Sequence, residues 1–168
     1  MRVLREDSRY TDQAEKINAM NNDNPQSKSV PPEAVTRHIV MDRHINPHGH
    51  VFGGVLLAWM DEGAGLYAME RTGCVHLVTV SMDDVVFKAP VKRGDQVIIQ
   101  CRLDTIGRSS ISVEVCAHVF DPVQITRTEV ITSKITYVSL RGDKPYRYFL
   151  SAEYEDWLRR KASQSDGA

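Results

Sequence analysis

The sequence feature that most constrains the fold is a pair of acidic residues inside an otherwise apolar stretch. Residues 55–69 are apolar on nearly every side of a helical projection, and Gly73 follows as a helix-ending residue. This pattern predicts a long helix that is buried on all sides. Asp61 and Glu62 nevertheless lie near its middle. An ionised carboxylate in apolar surroundings is costly unless something compensates it, so this conflict is the strongest functional signal in the sequence.

Small residues recur at helical spacing along the same stretch and would share one face of the helix, at Gly54, Ala58, Asp61, Gly65 and Ala68. Such a face lets another backbone or a ligand approach closely, and Asp61 lies in the middle of it. A plainer interpretation is close packing against a strand or a second helix, with Asp61 at a solvent edge. Glu62 points to another side of the helix, and we interpret it as structural or bound to a partner, with a share in catalysis as the alternative.

The overall composition excludes several classes of protein. A chain of 168 residues fits one domain, and its net charge of -1 gives no basis for general binding to nucleic acid or anionic membranes. The three cysteines have no paired spacing, which is typical of reduced thiols. No secretory signal and no apolar run long enough for a membrane span is visible, so we expect a cytoplasmic protein.

The rest of the chain is dominated by segments with the period of two that is typical of strands. One precedes the helix and four follow it, at residues 34–41, 77–87, 97–104, 111–119 and 125–140. Within the second segment the alternation changes phase at Asp83 and Asp84, which predicts a β-bulge. The order predicts an α+β fold, in which a curved antiparallel sheet of about five strands wraps around one long buried helix. Because one sheet covers only one side of a helix, we also expect an obligate oligomer.

The expected domain organisation has three parts. Residues 1–32 are polar and are interpreted as a mobile N-terminal arm. Residues 33–142 form the domain itself. Residues 143–168 are expected to form a C-terminal helix and tail, with Ser151 as the N-cap, acidic residues in the first turns and basic residues in the last.

Three short motifs are similar to those of one protein family. Asn46-x-x-Gly49-x-x-Phe52-Gly53-Gly54, followed by Met60-Asp61, resembles the hotdog-fold acyl-CoA thioesterases. The resemblance is closer to the bacterial broad-specificity enzymes and to the brain-type cytosolic acyl-CoA hydrolase, and it covers roughly residues 34–140. The turns Gly107-Arg108-Ser109-Ser110 and Val91-x-x-Gly94-Asp95 are also similar to that family. Two features depart from it: the acidic pair at the predicted bulge and the cluster His44, His48 and His50.

The resemblance implies a hotdog fold and hydrolysis of acyl-CoA thioesters to free fatty acid and coenzyme A. It implies that Asp61 is the general base or nucleophile, and that Asn46 holds the water or the substrate. Gly53 and Gly54 lie where helix N–H groups could stabilise an oxyanion, and we count Gly54 with the catalytic set and Gly53 with the substrate-binding set. Gly107, Arg108, Ser109 and Ser110 would bind the phosphates of coenzyme A.

The same resemblance implies a homodimer, often assembled with two others into a hexamer, in which Asn46 and Asp61 reach each site from opposite subunits. No cofactor and no metal is implied. The histidine cluster has spacing compatible with a metal, but we favour an exposed polar loop. We interpret Lys88, Lys92 and Arg93 as solvated side chains.

Other functions remain open from the sequence alone. No GxSxG elbow, P-loop or dinucleotide fingerprint is present. One alternative is a non-catalytic acyl-CoA-binding regulatory module on the same fold, although a binding module has no use for a buried carboxylate. Another is a hotdog dehydratase, which would require a histidine and an acid, and for which His44 and His48 are the weak candidates.

Overall fold

The computed structural model describes residues 32–147. Residues 1–31 of the predicted arm and the predicted helix beginning at Ser151 lie outside the described residues. The elements in chain order are β1 (Glu33–Ile39), a short 3-10 helix (Asp42–His44), α1 (Gly53–Thr72), β2 (Leu77–Phe87), β3 (Gln96–Ile106), β4 (Ser110–Asp121), β5 (Thr126–Arg141) and the two-residue β6 (Lys144–Pro145).

The strands form one sheet in the order β1-β3-β4-β5-β2, with every neighbouring pair antiparallel and β6 added beside β5. Helix α1 packs across one face of this sheet. The α+β architecture predicted from the sequence is therefore confirmed. Strand β2 lies at the end of the sheet order, so one of its edges has no strand beside it within residues 32–147.

The core lies between α1 and the inner face of the sheet. The predicted inner face of β4 is confirmed, because its alternate side chains are buried from Ile111 to Ala117. The helix packs closely on β3 at Gly63, where an added Cβ would lie 2.8 Å from Cγ2 of Ile99. Burying each large aliphatic side chain of this core contributes about 1.5–3 kcal/mol. This burial holds the helix in a fixed position on the sheet.

The ends of the helix follow from its sequence. Gly73 adopts a left-handed conformation (φ 66°), and its N–H donates to the carbonyl of Met69, as in a helix-terminating glycine cap. At the other end, the N-cap residue of α1 is Phe52, whose side chain makes no capping hydrogen bond. Among the helices of residues 32–147, none combines the length and apolarity needed to cross a membrane.

One side of α1 is open in a single chain. The sheet covers the face that carries Met60 and Ala64, both fully buried. The opposite face is exposed along an i, i+4 row, which consists of Gly54, Ala58, Glu62, Leu66 and Glu70. Asp61 lies at the border between the two faces and is half-buried. The sequence predicts that a second copy of the chain covers this open side.

The predicted bulge in β2 is confirmed. The register between β2 and β5 shifts between Asp83 and Val86, and Asp84 has a positive φ of 54°. The main-chain carbonyl of Asp83 accepts a hydrogen bond from the hydroxyl of Ser133 on β5 (2.9 Å), and its carboxylate accepts one from Ser81 (2.8 Å). The acidic pair that departs from the family pattern is thus part of the bulge.

Candidate active site

The carboxylate of Asp61 is held by two hydroxyl groups from the sheet. Thr79 on β2 donates a hydrogen bond to Oδ1 of Asp61 (2.8 Å), and Tyr137 on β5 donates to the same oxygen (3.0 Å). The Tyr137 hydroxyl also lies 2.8 Å from the main-chain carbonyl oxygen of Asp61. Thr79 and Tyr137 face each other across the β2–β5 ladder. The sheet therefore fixes the carboxylate at one oxygen.

Tyr137 is suited to donate rather than to accept. Its side chain is almost fully buried. Burial raises the pKa of the Tyr137 phenol, and the nearby negative charge of Asp61 raises it further. The hydroxyl therefore keeps its proton at neutral pH and donates it in a hydrogen bond to the carboxylate.

Sequence reasoning did not identify Thr79 and Tyr137. Both lie in strand segments whose alternation was interpreted as packing. One signal was available, since Tyr137 has the parity of the inner-face residues Ile131 and Ile135, and a buried tyrosine hydroxyl usually has a hydrogen-bond partner. The identity of that partner is not encoded locally.

The Asn46 side chain organises its own loop. Its Oδ1 accepts hydrogen bonds from the backbone N–H groups of His48 (2.9 Å) and His50 (3.2 Å). The loop is tied to the body of the protein because the N–H of Val51 donates to the carbonyl of Val91 (2.8 Å). With Oδ1 engaged, the Nδ2 group is the part of Asn46 that can donate to a ligand.

The two glycines after this loop open the N-terminus of α1. The N–H of Val55 already donates to the carbonyl of Phe52 (3.0 Å), whereas those of Gly53 and Gly54 find no acceptor within the described part of the chain. A Cβ added to Gly54 would meet no atom within 4 Å. This helix end therefore offers N–H donors and space, which is the arrangement that a developing oxyanion requires.

In one chain these residues form two separate groups. Asp61 lies eight residues into α1 from Gly53, which corresponds to about 12 Å along the helix axis. Asp61 is grouped with Thr79 and Tyr137, while Asn46, Gly53 and Gly54 lie at the start of the helix. Within one chain, this spacing along the helix separates the Asp61 group from the group at the start of α1.

The turn from Gly107 to Ser110 connects β3 to β4. The N–H of Gly107 donates to the carbonyl of Ser110 (2.7 Å), and a Cβ at Gly107 would lie 2.6 Å from Oγ of Ser110. Ser109 accepts hydrogen bonds through its carbonyl from the N–H (2.7 Å) and hydroxyl (3.2 Å) of Ser139. The side chain of Arg108 is exposed.

This turn lies at the same end of the sheet as Asp61. Ser110 pairs with Val138, the residue next to Tyr137 on β5. The structure therefore brings the predicted phosphate-binding turn and the predicted reactive carboxylate to one end of the sheet in the same chain.

The remaining candidates lie elsewhere. Glu62 is exposed on the open side of α1. His44 packs edge-on against Trp59, with ring centroids 5.0 Å apart. Within residues 32–147, the one group of three or more metal-ligating side chains whose ligand atoms all lie within 4.8 Å of one another is Cys116, His118 and Glu129, which does not include the histidines of the Asn46 loop.

Of the three basic side chains interpreted as solvated, Lys88, Lys92 and Arg93, two have acidic partners. Lys88 pairs with Glu129, and Arg93 pairs with Asp42 (3.0 Å). Arg93 is largely exposed, which agrees with its interpretation as a solvated side chain.

Comparisons with known proteins place this chain in a family. The model of the thioesterase superfamily matches residues 48–126. An uncharacterized acyl-CoA thioester hydrolase of Zymomonas mobilis is 32% identical over 122 residues, which are 73% of this chain and 81% of that protein.

Solved structures give the same result. A hexameric hotdog fold thioesterase of Campylobacter jejuni is 32% identical, with a TM-score of 0.62 over 74% of this chain and 95% of that one. An acyl-CoA hydrolase of Staphylococcus aureus, solved with butyryl coenzyme A, coenzyme A and coenzyme A disulfide, is 29% identical. Its TM-score is 0.64, and the match covers 78% of this chain and 87% of that one. The chain described here therefore belongs to the hotdog-fold acyl-CoA thioesterases.

Proposed function

We propose that this protein hydrolyses acyl-CoA thioesters to a free carboxylic acid and coenzyme A, with Asp61 as general base or nucleophile at a site shared by two subunits. The observation that carries the proposal is the Asp61 carboxylate, half-buried on an apolar helix and fixed by Thr79 and Tyr137. A binding module has no need of a carboxylate held in this way. The relatives named above are described as acyl-CoA hydrolases, which supports the same substrate class.

The chemistry can follow either of two routes. As a general base, Asp61 takes a proton from water while the water oxygen attacks the thioester carbonyl carbon. The tetrahedral oxyanion then collapses, the carbon–sulfur bond breaks, and the coenzyme A thiolate takes up the proton. As a nucleophile, Asp61 attacks the carbonyl carbon itself, the thiolate leaves, and water hydrolyses the resulting anhydride. Both routes need donors for the oxyanion.

A second subunit would bring together the two groups of site residues that lie apart in one chain. The open face of α1 and the free edge of β2 carry exposed apolar side chains, including Leu66, Val80, Val86 and Phe87, which are 49%, 55%, 48% and 52% exposed. A free strand edge with exposed apolar side chains is a surface that proteins normally cover. We propose that a copy of the chain covers it through a two-fold axis, with β2 pairing antiparallel to its counterpart.

Contacts within the chain indicate what such an axis would bring together. Asp61 contacts β2 through Thr79 near one end of the strand, whereas Gly53 lies against Phe87 at the other end. An antiparallel pairing centred near the bulge places the Thr79 end of one strand opposite the Phe87 end of its partner. Asp61 of one subunit would then approach the helix N-terminus and Asn46 loop of the other. Three such dimers would give a hexamer, and the Campylobacter relative is described as hexameric.

Mixing two inactive variants tests the shared site. Asn46→Ala and Asp61→Ala are purified separately, allowed to exchange subunits, and assayed for release of free thiol from acyl-CoA. Tagged pull-down must first demonstrate exchange. In a shared arrangement each hybrid dimer has one intact site, so equimolar mixing should restore about one quarter of wild-type activity. Exchanged hybrids that remain inactive would place each complete site within one chain.

Mixing wild type with the double variant Asn46→Ala/Asp61→Ala is the matched control. Shared sites should leave about one quarter of the activity of wild type at the same total site concentration, whereas sites within one chain should leave about one half. A wild-type protein that binds acyl-CoA but releases no thiol from any acyl chain length would instead favour the non-catalytic module.

A further inference from the structure

Both hydroxyl donors at Asp61 point to the same carboxylate oxygen. Thr79 and Tyr137 donate to Oδ1, at 2.8 and 3.0 Å, and residues 32–147 provide no hydrogen-bond donor to Oδ2. A carboxylate can accept about four hydrogen bonds, so this one-sided arrangement leaves a chemically distinct second oxygen. The two oxygens are otherwise equivalent, because rotation about the terminal torsion of an aspartate is broad and two-fold.

We infer that Tyr137 is a positioning residue, which anchors Oδ1 of Asp61 so that Oδ2 is the oxygen that reacts with water or with the thioester. This inference rests on the proposed function. Tyr137 touches neither substrate nor water in this role and acts through Asp61 alone.

The double contact of the Tyr137 hydroxyl suits it to this role. It lies 2.8 Å from the main-chain oxygen and 3.0 Å from the side-chain oxygen of the same residue. The Tyr137 hydroxyl therefore fixes the orientation of the carboxylate relative to the helix backbone. Loss of the hydroxyl would release that link and leave Thr79 as the single donor to Oδ1.

Tyr137 is itself firmly held. It lies on β5, which has β4 on one side and β2 on the other, and its ring passes over Gly65, where an added Cβ would lie 3.8 Å from the ring atom Cε1. Two residues further along the strand, Ser139 is fully buried and holds the turn that contains Arg108 through the carbonyl of Ser109. Strand β5 thus positions the reactive carboxylate and the predicted coenzyme A turn together.

The test compares Tyr137→Phe with wild type in kcat and KM for one acyl-CoA. The phenylalanine keeps the buried ring and removes only the hydroxyl. A hydrogen bond to a charged group is strong enough that kcat should fall about tenfold or more. KM should stay within about twofold, because binding of coenzyme A does not use this hydroxyl. Tyr67→Phe is the matched control, since Tyr67 is equally buried on α1 but lies under the guanidinium of Arg71; its kcat should equal that of wild type.

Adding Tyr137→Phe to a variant that lacks the carboxylate distinguishes a positioning role of Tyr137 from a general structural one. In Asp61→Ala there is no carboxylate to orient, so adding Tyr137→Phe should leave the residual rate unchanged. A further loss of several-fold in that background would overturn the inference, as would a wild-type kcat for Tyr137→Phe. Normal turnover in Asp61→Ala itself would refute the proposed function instead, so the two failures are distinguishable.

Thr79 keeps the inference testable if Tyr137→Phe does not fold. Thr79→Val removes the other donor to Oδ1, and Thr79→Ser retains it. We expect kcat to fall for the valine variant and to recover for the serine variant, with KM unchanged in both. Equal kcat values for valine and serine would contradict anchoring through Oδ1.

Discussion

The ring of Phe87 lies against Gly53, so close that a Cβ added to the glycine would be 3.0 Å from the ring atom Cζ. The contact joins the last residue of β2 to the first residue of α1, although 34 positions separate them in sequence, from 53 to 87. Gly53 and Gly54 therefore have different reasons to lack a side chain. At Gly53 the space is taken by the protein itself, and at Gly54 it is open.

The first prediction uses this difference. Gly54→Ala should not destabilise a single chain, and the better helix propensity of alanine should contribute up to about 1 kcal/mol. We nevertheless expect thioesterase activity to fall at least tenfold, because a methyl group at the helix N-terminus would occupy the space proposed for the thioester carbonyl. Thermal melting, size-exclusion chromatography and thiol release measure these effects.

Gly53→Ala is the comparison for that prediction. Its Cβ must displace the Phe87 ring by a few tenths of an ångström, so a loss of stability is expected there and not at Gly54. Full activity in a correctly assembled Gly54→Ala protein would remove Gly54 from the catalytic set.

The second prediction concerns the two neighbouring carboxylates of α1. Asp61→Asn should lower kcat by about 10² or more with folding intact, because the amide cannot accept a proton from water or attack a thioester. Glu62→Gln is the matched control, since Glu62 is adjacent in sequence but exposed on the open side of the helix. Its kcat should stay within about twofold of wild type in an intact oligomer. Comparable losses in both variants would show that charge, and not the position of Asp61, matters.

The third prediction concerns Arg108. Its exposed side chain lies on the turn that Ser139 holds at the Asp61 end of the sheet. If it contacts the nucleotide end of coenzyme A, Arg108→Ala should raise KM about tenfold and change kcat little, because uniform binding is lost. A truncated acyl-pantetheine substrate should not respond to the change.

Arg93→Ala provides a control for charge at a turn. Arg93 is an exposed arginine that pairs with Asp42, and its loss should leave KM unchanged. A fall in kcat at constant KM for Arg108→Ala would assign that residue a different role.

The fourth prediction is a pH dependence of stability. Burial raises the pKa of the Cys101 thiol from 9.0 to about 12. Above pH 9 the unfolded chain loses this proton while the folded chain keeps it, so the free energy of unfolding falls as pH rises through 9 towards 12. One such thiol should cost roughly 1 kcal/mol of stability between pH 8 and pH 10.

Urea unfolding of wild type and Cys101→Val at both pH values isolates this contribution. Valine has a similar volume to cysteine and no ionisable group. The Cys101→Val protein should therefore lose less stability than wild type between pH 8 and pH 10. An identical pH dependence in the two proteins would mean that Cys101 does not contribute.

Features that depend on residues close together in the chain could be predicted from the sequence. The end of α1 at Gly73, the bulge at Asp83 and Asp84, and the alternating burial of β4 all follow from periodicity and local backbone preference. Such features involve contacts between residues a few positions apart, so the sequence pattern is sufficient to predict them. The motif that contains Asn46 and Asp61 was also visible, because it is contiguous in the chain.

The hydrogen-bond partners of Asp61 and its degree of burial could not be predicted in this way, because they depend on the tertiary fold. Its partners Thr79 and Tyr137 are 18 and 76 positions away, and they meet because β2 and β5 pair in one register. That register follows from the packing of the whole sheet against α1, and no local pattern specifies it. The open face of the helix has the same origin, since one curved sheet covers only one side of a helix, however apolar the helix is.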